Sequence, residues 1–121
     1  MKGFPHITKN GRWTTTEDGC WTGGFWIGLL WYAYKFSGDE KYQKLALAWL
    51  KRLERRKKDK TFDLGFLFYP SFALGYTITK DEYLKKTSLA AANTLSTLFG
   101  EKSDFVYNEI IVNDKRTGRT A

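Results

Sequence analysis

The chain has 121 residues, of which 42% are hydrophobic and 17% aromatic, so its size and composition are those of one folded domain rather than a disordered chain. Its net charge of +7 makes nucleic acid one possible partner. The single cysteine excludes an internal disulfide, and one cysteine with one histidine cannot form a His/Cys metal cluster. The longest apolar stretch is about nine residues against the roughly twenty that span a bilayer, so no transmembrane helix is predicted.

Residues 1–20 are predicted to form an extended loop that leads into the first helix. They contain glycine, proline, asparagine and three successive threonines, without helical period. The first six residues, Met1 to His6, lack the apolar stretch of a secretory signal, and Cys20 has no cysteine to pair with. A reducing, cytoplasmic location is therefore expected.

Residues 21–58 are predicted to form a first helical hairpin. From Phe25 to Phe36 the sequence is apolar nearly all round, as expected of an inner helix enclosed by neighbours. From Asp39 to Lys58 apolar residues recur at intervals of three and four with cations between them, which indicates an amphipathic outer helix. Asp39 stands at its start, where a carboxylate complements the free backbone N–H groups.

A basic run occupies the end of this outer helix. Its cations are Lys51, Arg52, Arg55, Arg56, Lys57, Lys58 and Lys60. Such a run is typical of a solvated helix end, where cations complement the negative end of the helix dipole. The alternative is a nucleic-acid surface, which is disfavoured because no aromatic residue lies between Leu53 and Phe62 to stack on bases.

Residues 63–99 repeat this organisation about forty residues later and predict a second helical hairpin. Its inner helix is expected from Phe66 to Tyr76. Its outer helix is expected from Asp81 to Phe99, with Gly100 as the C-terminal cap.

Pro70 interrupts the second inner helix. Proline is tolerated in a first turn, where its missing N–H is not required, which places the start of this helix near residues 67 or 68. A strand over residues 66–69 is the competing interpretation, since period alone does not assign a short aromatic run.

Residues 100–121 are predicted to be a tail, with a short strand or strand-like loop from Phe105 to Val112 and a polar end from Asn113 to Ala121. Enclosed inner helices that alternate with amphipathic outer ones predict an all-α fold, part of an α/α barrel in which an outer ring wraps an inner ring. Two hairpins cannot close such a ring and leave apolar flanks exposed. Residues 1–121 are therefore expected to be one partial domain that is part of something longer or self-associates.

The most informative residues for function are Trp21 and Asp63. Trp21 opens a run rich in tryptophan and glycine, and Asp63 stands at the start of the second inner helix. Tryptophan faces stack on the apolar faces of pyranose rings, and a carboxyl group near such rings loses hydration, which favours acid/base chemistry. This pattern predicts a sugar site. The alternative for Asp63 is helix capping, whereas Trp26 and Trp31 have the spacing of buried inner-helix residues.

No cofactor or metal is expected. Gly23, Gly24 and Gly28 lack the lysine or the strand context of a phosphate-binding loop, and are better explained by close approach of the inner helices.

The order and spacing of these motifs resemble the amino-terminal part of the unsaturated glucuronyl hydrolases, glycoside hydrolase family 88. The matching segments, between residue 4 and about residue 118, are Phe4-Pro5, Gly11-Arg12-Trp13, Trp21-Thr22-Gly23-Gly24-Phe25-Trp26-Ile27-Gly28-Leu29-Leu30-Trp31, Ser37-Gly38-Asp39 and Asp63-Leu64-Gly65-Phe66. The resemblance implies an incomplete six-hairpin α/α barrel. It also implies removal of a 4,5-unsaturated uronic acid from the nonreducing end of oligosaccharides, by hydration of the vinyl ether double bond.

By that resemblance Asp63 matches the first essential aspartate of the family and is assigned to positioning the substrate and tuning the acid/base partner. Trp21 matches a tryptophan that lines the pocket. Phe62 stands where many members have histidine. The second essential aspartate, the usual proton donor, has no match before Ala121, because Asp104 and Asp114 do not fit its motif. The chain is therefore expected to be a truncated portion that is inactive alone.

Two questions stay open from the sequence. One is the parent glycan, whether derived from heparin, chondroitin, hyaluronan or gellan. The other is a contrasting function, a non-catalytic helical binding or assembly module whose basic surface contacts nucleic acid or an acidic partner.

Overall fold

The computed structural model describes residues 2–98 and the backbone of two further short strands near the carboxyl end. The elements in chain order are strands β1 (Phe4–Lys9) and β2 (Arg12–Thr16), helices α1 (Gly23–Ser37), α2 (Glu40–Leu53), α3 (Leu64–Phe68), α4 (Leu74–Thr79) and α5 (Glu82–Ser96), and strands β3 (Tyr107–Glu109) and β4 (Arg119–Thr120). A 3-10 turn, Glu54–Lys58, extends α2, and a π-helical turn, Tyr69–Ala73, joins α3 to α4.

The segment expected to be an extended loop, residues 1–20, contains the antiparallel hairpin β1–β2 instead, so that prediction was wrong. Asn10 and Gly11 form the turn with φ values of 50° and 71°. These positive angles belong to the two-residue Asn-Gly turn whose twist matches that of the strands, and the β-branched threonines favour β2. Phe4 is fully buried with its ring 4.6 Å from that of Trp49, so the hairpin packs on the outer helix α2.

Helices α1 and α2 form the predicted first hairpin. After α1, Gly38 adopts a φ of 70° and its N–H donates to the carbonyl oxygen of Tyr34 at 2.8 Å, a left-handed C-terminal cap. Asp39 then caps α2, because its carboxylate accepts a hydrogen bond of 3.0 Å from the N–H of Lys41. The predicted start of the outer helix is confirmed, and its last turn tightens into the 3-10 turn.

The second inner helix begins at Leu64, ahead of the start predicted near residues 67–68, so that start was wrong. The strand alternative over residues 66–69 is excluded by the same helix. Pro70 therefore lies inside the helical segment rather than in a first turn. Because proline has no N–H to donate and crowds the preceding turn, the chain widens into the π-helical turn there and resumes as α4.

The second outer helix, α5, starts as predicted. Asp81 caps it by accepting a 3.0 Å hydrogen bond from the N–H of Tyr83. The cap expected at Gly100 lies outside the described residues. Strand β3 falls within the predicted strand and pairs antiparallel with β4, which lies in the segment predicted to be a polar end.

The two inner helices touch at Gly24 of α1. A Cβ atom at this position would lie 2.2 Å from the carbonyl oxygen of Phe66, so only glycine allows this approach. Trp31 is fully buried, as its spacing predicted, and hydrogen-bonds the second inner helix. Trp26 is only partly buried and packs against the core. The core contains Phe4, Ile27, Leu30, Trp31, Ala46, Trp49, Leu50, Leu53, Leu64, Leu67, Phe68, Phe72, Leu84 and Ala91.

One side of α1 is uncovered, so this helix is not enclosed on all sides, and the apolar flank expected of two hairpins that do not close a ring is exposed. Its exposed apolar side chains are Phe25, Leu29, Tyr32 and Phe36. We call this stripe the α1 flank. Among the described residues, no helix is both long enough and apolar enough to cross a membrane.

Candidate functional site

A tight loop presents Trp21 at the start of α1. Gly19 and Cys20 both have positive φ angles, 90° and 47°, and the side chain of Asp18 accepts a 2.9 Å hydrogen bond from the N–H of Cys20. The carbonyl oxygen of Gly19 accepts from the N–H of Gly23 at 2.7 Å. A positive φ is uncommon for cysteine, so the surrounding contacts must hold this loop in place. We call residues 18–21 the Trp21 loop.

The Trp21 ring lies in a cluster of aromatic groups from three parts of the chain. Its centroid is 6.0 Å from that of Phe66, 6.5 Å from Phe25 and 6.3 Å from His6. The indole is 45% exposed, so it packs along one side and remains accessible on another. Since Phe66 lies in the first turn of α3, the fold brings Trp21 to the helix end where Asp63 stands.

Asp63 occupies the residue position immediately before α3 and is half-buried. Its side chain makes no capping hydrogen bond to the helix, unlike the carboxylates of Asp39 and Asp81. Its backbone N–H donates to the hydroxyl oxygen of Thr61 at 3.2 Å, which fixes the approach to the helix. The capping interpretation therefore does not account for this carboxylate.

A groove with a volume of about 400 Å³ runs from Trp21 towards the hairpin β1–β2. Its lining residues are Pro5, His6, Trp13, Trp21, Thr22, Phe25, Trp26 and Leu29. Asp63 does not line it, so of the two site residues predicted from the sequence only Trp21 faces this groove. The walls are aromatic and aliphatic apart from His6 and Thr22, whose Nδ1 and Oγ1 atoms are 2.8 Å apart in a hydrogen bond.

Sequence reasoning missed His6 and Trp13 as groove residues. Both lie on the hairpin that was predicted to be a loop, and the Asn10-Gly11 pair between them was the signal that could have placed them on adjacent strands. Phe62, which stands where an imidazole was expected by resemblance, has its ring 6.3 Å from Phe66 and extends the aromatic cluster.

Much of the basic run is engaged within the chain. Arg52 donates to the carbonyl oxygen of Lys2 at 2.8 Å, and its guanidinium lies over the rings of Trp49 and Phe4 at 4.5 Å and 5.2 Å. Lys57 pairs with Glu54 at 3.1 Å. These contacts support the helix-end interpretation over a nucleic-acid surface. Over the described part of the chain, no group of three or more His, Cys, Asp or Glu side chains is placed to hold a metal ion.

No family model matches the chain. An unsaturated glucuronyl hydrolase from Bacillus sp. (strain GL1) is 34% identical to it over 97 residues, which are 76% of this chain and 26% of that protein. An unsaturated chondroitin disaccharide hydrolase from Streptococcus agalactiae serotype III (strain NEM316) is 34% identical over 103 residues, which are 82% of this chain and 26% of that protein. The chain thus spans about a quarter of the length of these curated relatives.

Solved structures of unsaturated glucuronyl hydrolases also match the chain. The crystal structure of an unsaturated glucuronyl hydrolase from Bacillus sp. GL1, described as responsible for the degradation of glycosaminoglycan, matches with a TM-score of 0.88 and 27% identity, over 97% of this chain and 32% of that one. An unsaturated glucuronyl hydrolase specific for heparin matches with a TM-score of 0.83 and 28% identity, over 94% of this chain and 31% of that one.

Proposed function

Since this chain belongs to the unsaturated glucuronyl hydrolase family, we propose that it supplies part of the saccharide site of an enzyme that removes a 4,5-unsaturated uronic acid from oligosaccharides. The resemblance predicted from the motifs and the partial α/α barrel are both confirmed by these relatives. The activity of the whole protein is a proposal, because the chain covers only about a quarter of the curated relatives.

The observation that carries the proposal is the contact between Trp21 and Phe66, whose centroids are 6.0 Å apart. This contact supports the proposal, because Phe66 lies in the first turn of α3, three residues after Asp63. An aromatic face near a carboxylate that makes no capping hydrogen bond to its helix is an arrangement suited to saccharide chemistry.

The proposed reaction is the addition of water across the C4–C5 double bond of the uronate. A proton is delivered to C4, and the positive charge that develops at C5 is stabilised by the ring oxygen. Water then adds to C5 and loses one proton to a base. The resulting hemiketal opens to a ketone. This leaves a hemiacetal at C1 that releases the remaining saccharide.

Asp63 is assigned to holding the substrate at the double bond and to tuning the group that transfers the proton. Trp21 is assigned to stacking on the sugar ring. The family's second essential aspartate has no motif match in the printed sequence, which supports the proposal that the chain alone hydrolyses little or no substrate. A cytoplasmic location also stays a proposal, supported by the single, free cysteine.

The test is a titration of the isotopically labelled chain with an unsaturated glucuronyl disaccharide, followed by NMR. We expect the Trp21 indole N–H and the Asp63 amide signals to shift, and Trp21→Ala to abolish the shift of the Asp63 amide signal. Asp39→Asn is the matched control, because that carboxylate caps α2 away from the cluster. Shifts confined to the basic run, or no shift at Trp21 and Asp63 at saturating disaccharide, would contradict the proposal.

We also propose that the chain self-associates through the α1 flank, with a second copy of the chain as the occupant. Because Phe25 and Leu29 of the flank also line the groove at Trp21, self-association competes with occupation of that groove. The support is the exposure of that flank, where Leu29 is 64% and Phe36 81% exposed. Contiguous apolar surface of this kind is rarely left in water.

A further inference from the structure

The guanidinium of Arg56 connects the two segments that lead to the proposed site residues. Its Nη1 donates to the carbonyl oxygen of Cys20 and, at 3.4 Å, to that of Asp18. Its Nε donates to the Oδ2 atom of Asp59 at 2.7 Å. Only 14% of the Arg56 side chain is exposed, whereas the Asp59 side chain is 42% exposed, so the bonds to Asp59 and Cys20 are partly buried and the longer bond to Asp18 is exposed.

On one side the arginine holds the Trp21 loop. Cys20 directly precedes Trp21 and has a φ of 47°, an angle that a non-glycine residue keeps only when other contacts enforce it. The accepting carbonyl groups belong to Asp18 and Cys20, within the same turn. Loss of the donor would leave these carbonyl groups without that partner and remove the contact that pins the turn to the end of the outer helix.

On the other side the arginine holds the segment that runs from the 3-10 turn to Asp63. The N–H of Asp59 donates to the Arg56 carbonyl oxygen at 3.0 Å, so Asp59 is fixed to Arg56 by both backbone and side chain. Between Asp59 and Asp63, the Lys60 ammonium donates to the hydroxyl oxygen of Thr97 at 2.9 Å, and Thr61 accepts from the N–H groups of Asp63 and Leu64 at 3.2 Å and 3.4 Å. The segment from Arg56 to Asp63 is therefore short, and hydrogen bonds hold it at several points, the first of which is Arg56.

Resting on the proposed function, we infer that Arg56 is a positioning residue that sets Trp21 relative to Asp63 through the Cys20 carbonyl group and the Asp59 carboxylate. Within residues 2–98, no hydrogen bond or ion pair joins Arg56 to Trp21 or Asp63, so it acts on both through their neighbours. A lysine does not replace it, because one ammonium group on a flexible stem lacks the planar fork that addresses a carboxylate and two carbonyl groups at once.

The test compares Arg56→Lys with Arg52→Lys in the full chain. Arg52 is the matched control because it belongs to the same basic run and also donates to a backbone carbonyl group, that of Lys2, but not to the Trp21 loop. In Arg56→Lys we expect the Trp21 indole N–H and Cys20 amide signals to shift or broaden while those of the core residues Trp31 and Trp49 stay in place. Affinity for the unsaturated disaccharide should fall on the order of tenfold, as expected when a binding group is displaced. Arg52→Lys should leave the Trp21 and Cys20 signals and the affinity unchanged, whereas it should move the Trp49 signal, because the Arg52 guanidinium lies over that ring.

A second variant, Asp59→Asn, keeps the arginine and weakens only its ionic partner, so it should move the same signals in the same direction by less. Unchanged Trp21 and Cys20 signals in both variants would overturn the inference. So would equal movement of the Trp31 and Trp49 signals, since Arg56 would then support the whole fold. The signals are read without ligand, so failure of the wild-type chain to bind saccharide would defeat the proposed function and leave this test standing.

Discussion

The indole Nε1–H of Trp31 donates a hydrogen bond of 2.8 Å to the carbonyl oxygen of Ser71. Trp31 lies in α1 and Ser71 in the π-helical turn, and both are fully buried. A Cβ atom on Gly75 would lie 2.7 Å from this indole ring, so the second inner helix is shaped to receive it. The irregular turn at Pro70 is thus where the two inner helices are joined by a buried polar contact.

Trp31→Phe should therefore destabilise the chain more than its loss of apolar volume alone predicts. The phenyl ring cannot donate to the Ser71 carbonyl oxygen, which keeps the N–H of Leu74 as a donor. Loss of the indole hydrogen bond alone should then cost about 0.5–1.5 kcal/mol. The free energy of unfolding in urea measures the effect. Trp13→Phe is the control, because Trp13 is 62% exposed and should change that free energy little. Equal stability of the two variants would show that the buried hydrogen bond contributes nothing.

Gly24→Ala and Gly65→Ala should have opposite effects, although the two glycines occupy matching places in the repeat. A Cβ atom on Gly24 meets backbone atoms, the carbonyl oxygens of Phe66 and Leu67 at 2.2 Å and 2.4 Å, so the helices must separate at a cost of about 3 kcal/mol or more. Nothing lies within 4 Å of a Cβ atom on Gly65. There alanine should stabilise α3 by up to about 1 kcal/mol through its better helix propensity. Urea unfolding measures the free energy of unfolding of both variants. If the helices are not in contact at Gly24, Gly24→Ala should not destabilise the chain.

The parts of this fold that could be predicted from the sequence are those that local sequence signals mark. The outer helices were predicted with their caps, because Asp39 and Asp81 precede clear amphipathic periods and their carboxylates satisfy backbone N–H groups. The hairpin β1–β2 was missed although Asn10-Gly11 marks it, because the absence of helical period was taken as absence of structure. The π-helical turn was missed, because Pro70 was assigned to a first turn and the bond from the distant indole of Trp31 to Ser71 is not visible in the local sequence.

The candidate site was predictable to a similar extent. Trp21 and Asp63 stood out by residue type and motif, whereas their relation depends on contacts between segments about forty residues apart. Nothing in the pattern of the basic run distinguished Arg56 from its neighbours. Its role follows from burial against the Trp21 loop, which is a property of the fold alone.

Comparison of Asp81→Ala with Asp63→Ala should distinguish a carboxylate that caps a helix from one that does not. Asp81 accepts the N–H of Tyr83 at 3.0 Å, and loss of such a cap costs about 1 kcal/mol. The Asp63 side chain makes no capping bond, so its removal should change the free energy of unfolding by no more than about 0.5 kcal/mol. Thermal or urea unfolding measures both. A loss at Asp63 as large as that at Asp81 would restore the capping interpretation.

The link between Glu54 and Tyr83 should make stability depend on pH at both extremes. Burial, together with the hydrogen bond that the phenol donates to Glu54, raises the pKa of Tyr83 to about 12. The same hydrogen bond, with help from Lys57, lowers the pKa of Glu54 below its usual 4.5. The tyrosine contribution is therefore complete below pH 10 and is lost as the pH rises through about 12. The glutamate contribution is complete above pH 4.5 and is lost as the pH falls through the lowered pKa.

Tyr83→Phe tests this link. It should remove less than about 1 kcal/mol at neutral pH, because the ring is 43% exposed and solvent screens the pair. It should also reduce the loss of stability on acidification, measured as the free energy of unfolding at pH values above and below 4.5. Tyr32→Phe, on the α1 flank, is the control. An acid loss in Tyr83→Phe as large as in the unaltered chain would mean that the hydrogen bond does not hold the Glu54 pKa down.

The α1 flank should drive self-association that increases with salt. The net charge of +7 makes copies of the chain repel one another, and this repulsion is screened as ionic strength rises, whereas burial of apolar side chains is not weakened. Association through the basic run with an acidic patch would show the reverse dependence. Leu29→Lys combined with Phe36→Lys should keep the chain monomeric in sedimentation equilibrium at high salt. Leu45→Lys is the control, because Leu45 is comparably apolar and 46% exposed but lies on the outer helix α2. If that variant and the flank variant lose association equally, the contact does not involve the α1 flank, and added charge alone explains the change.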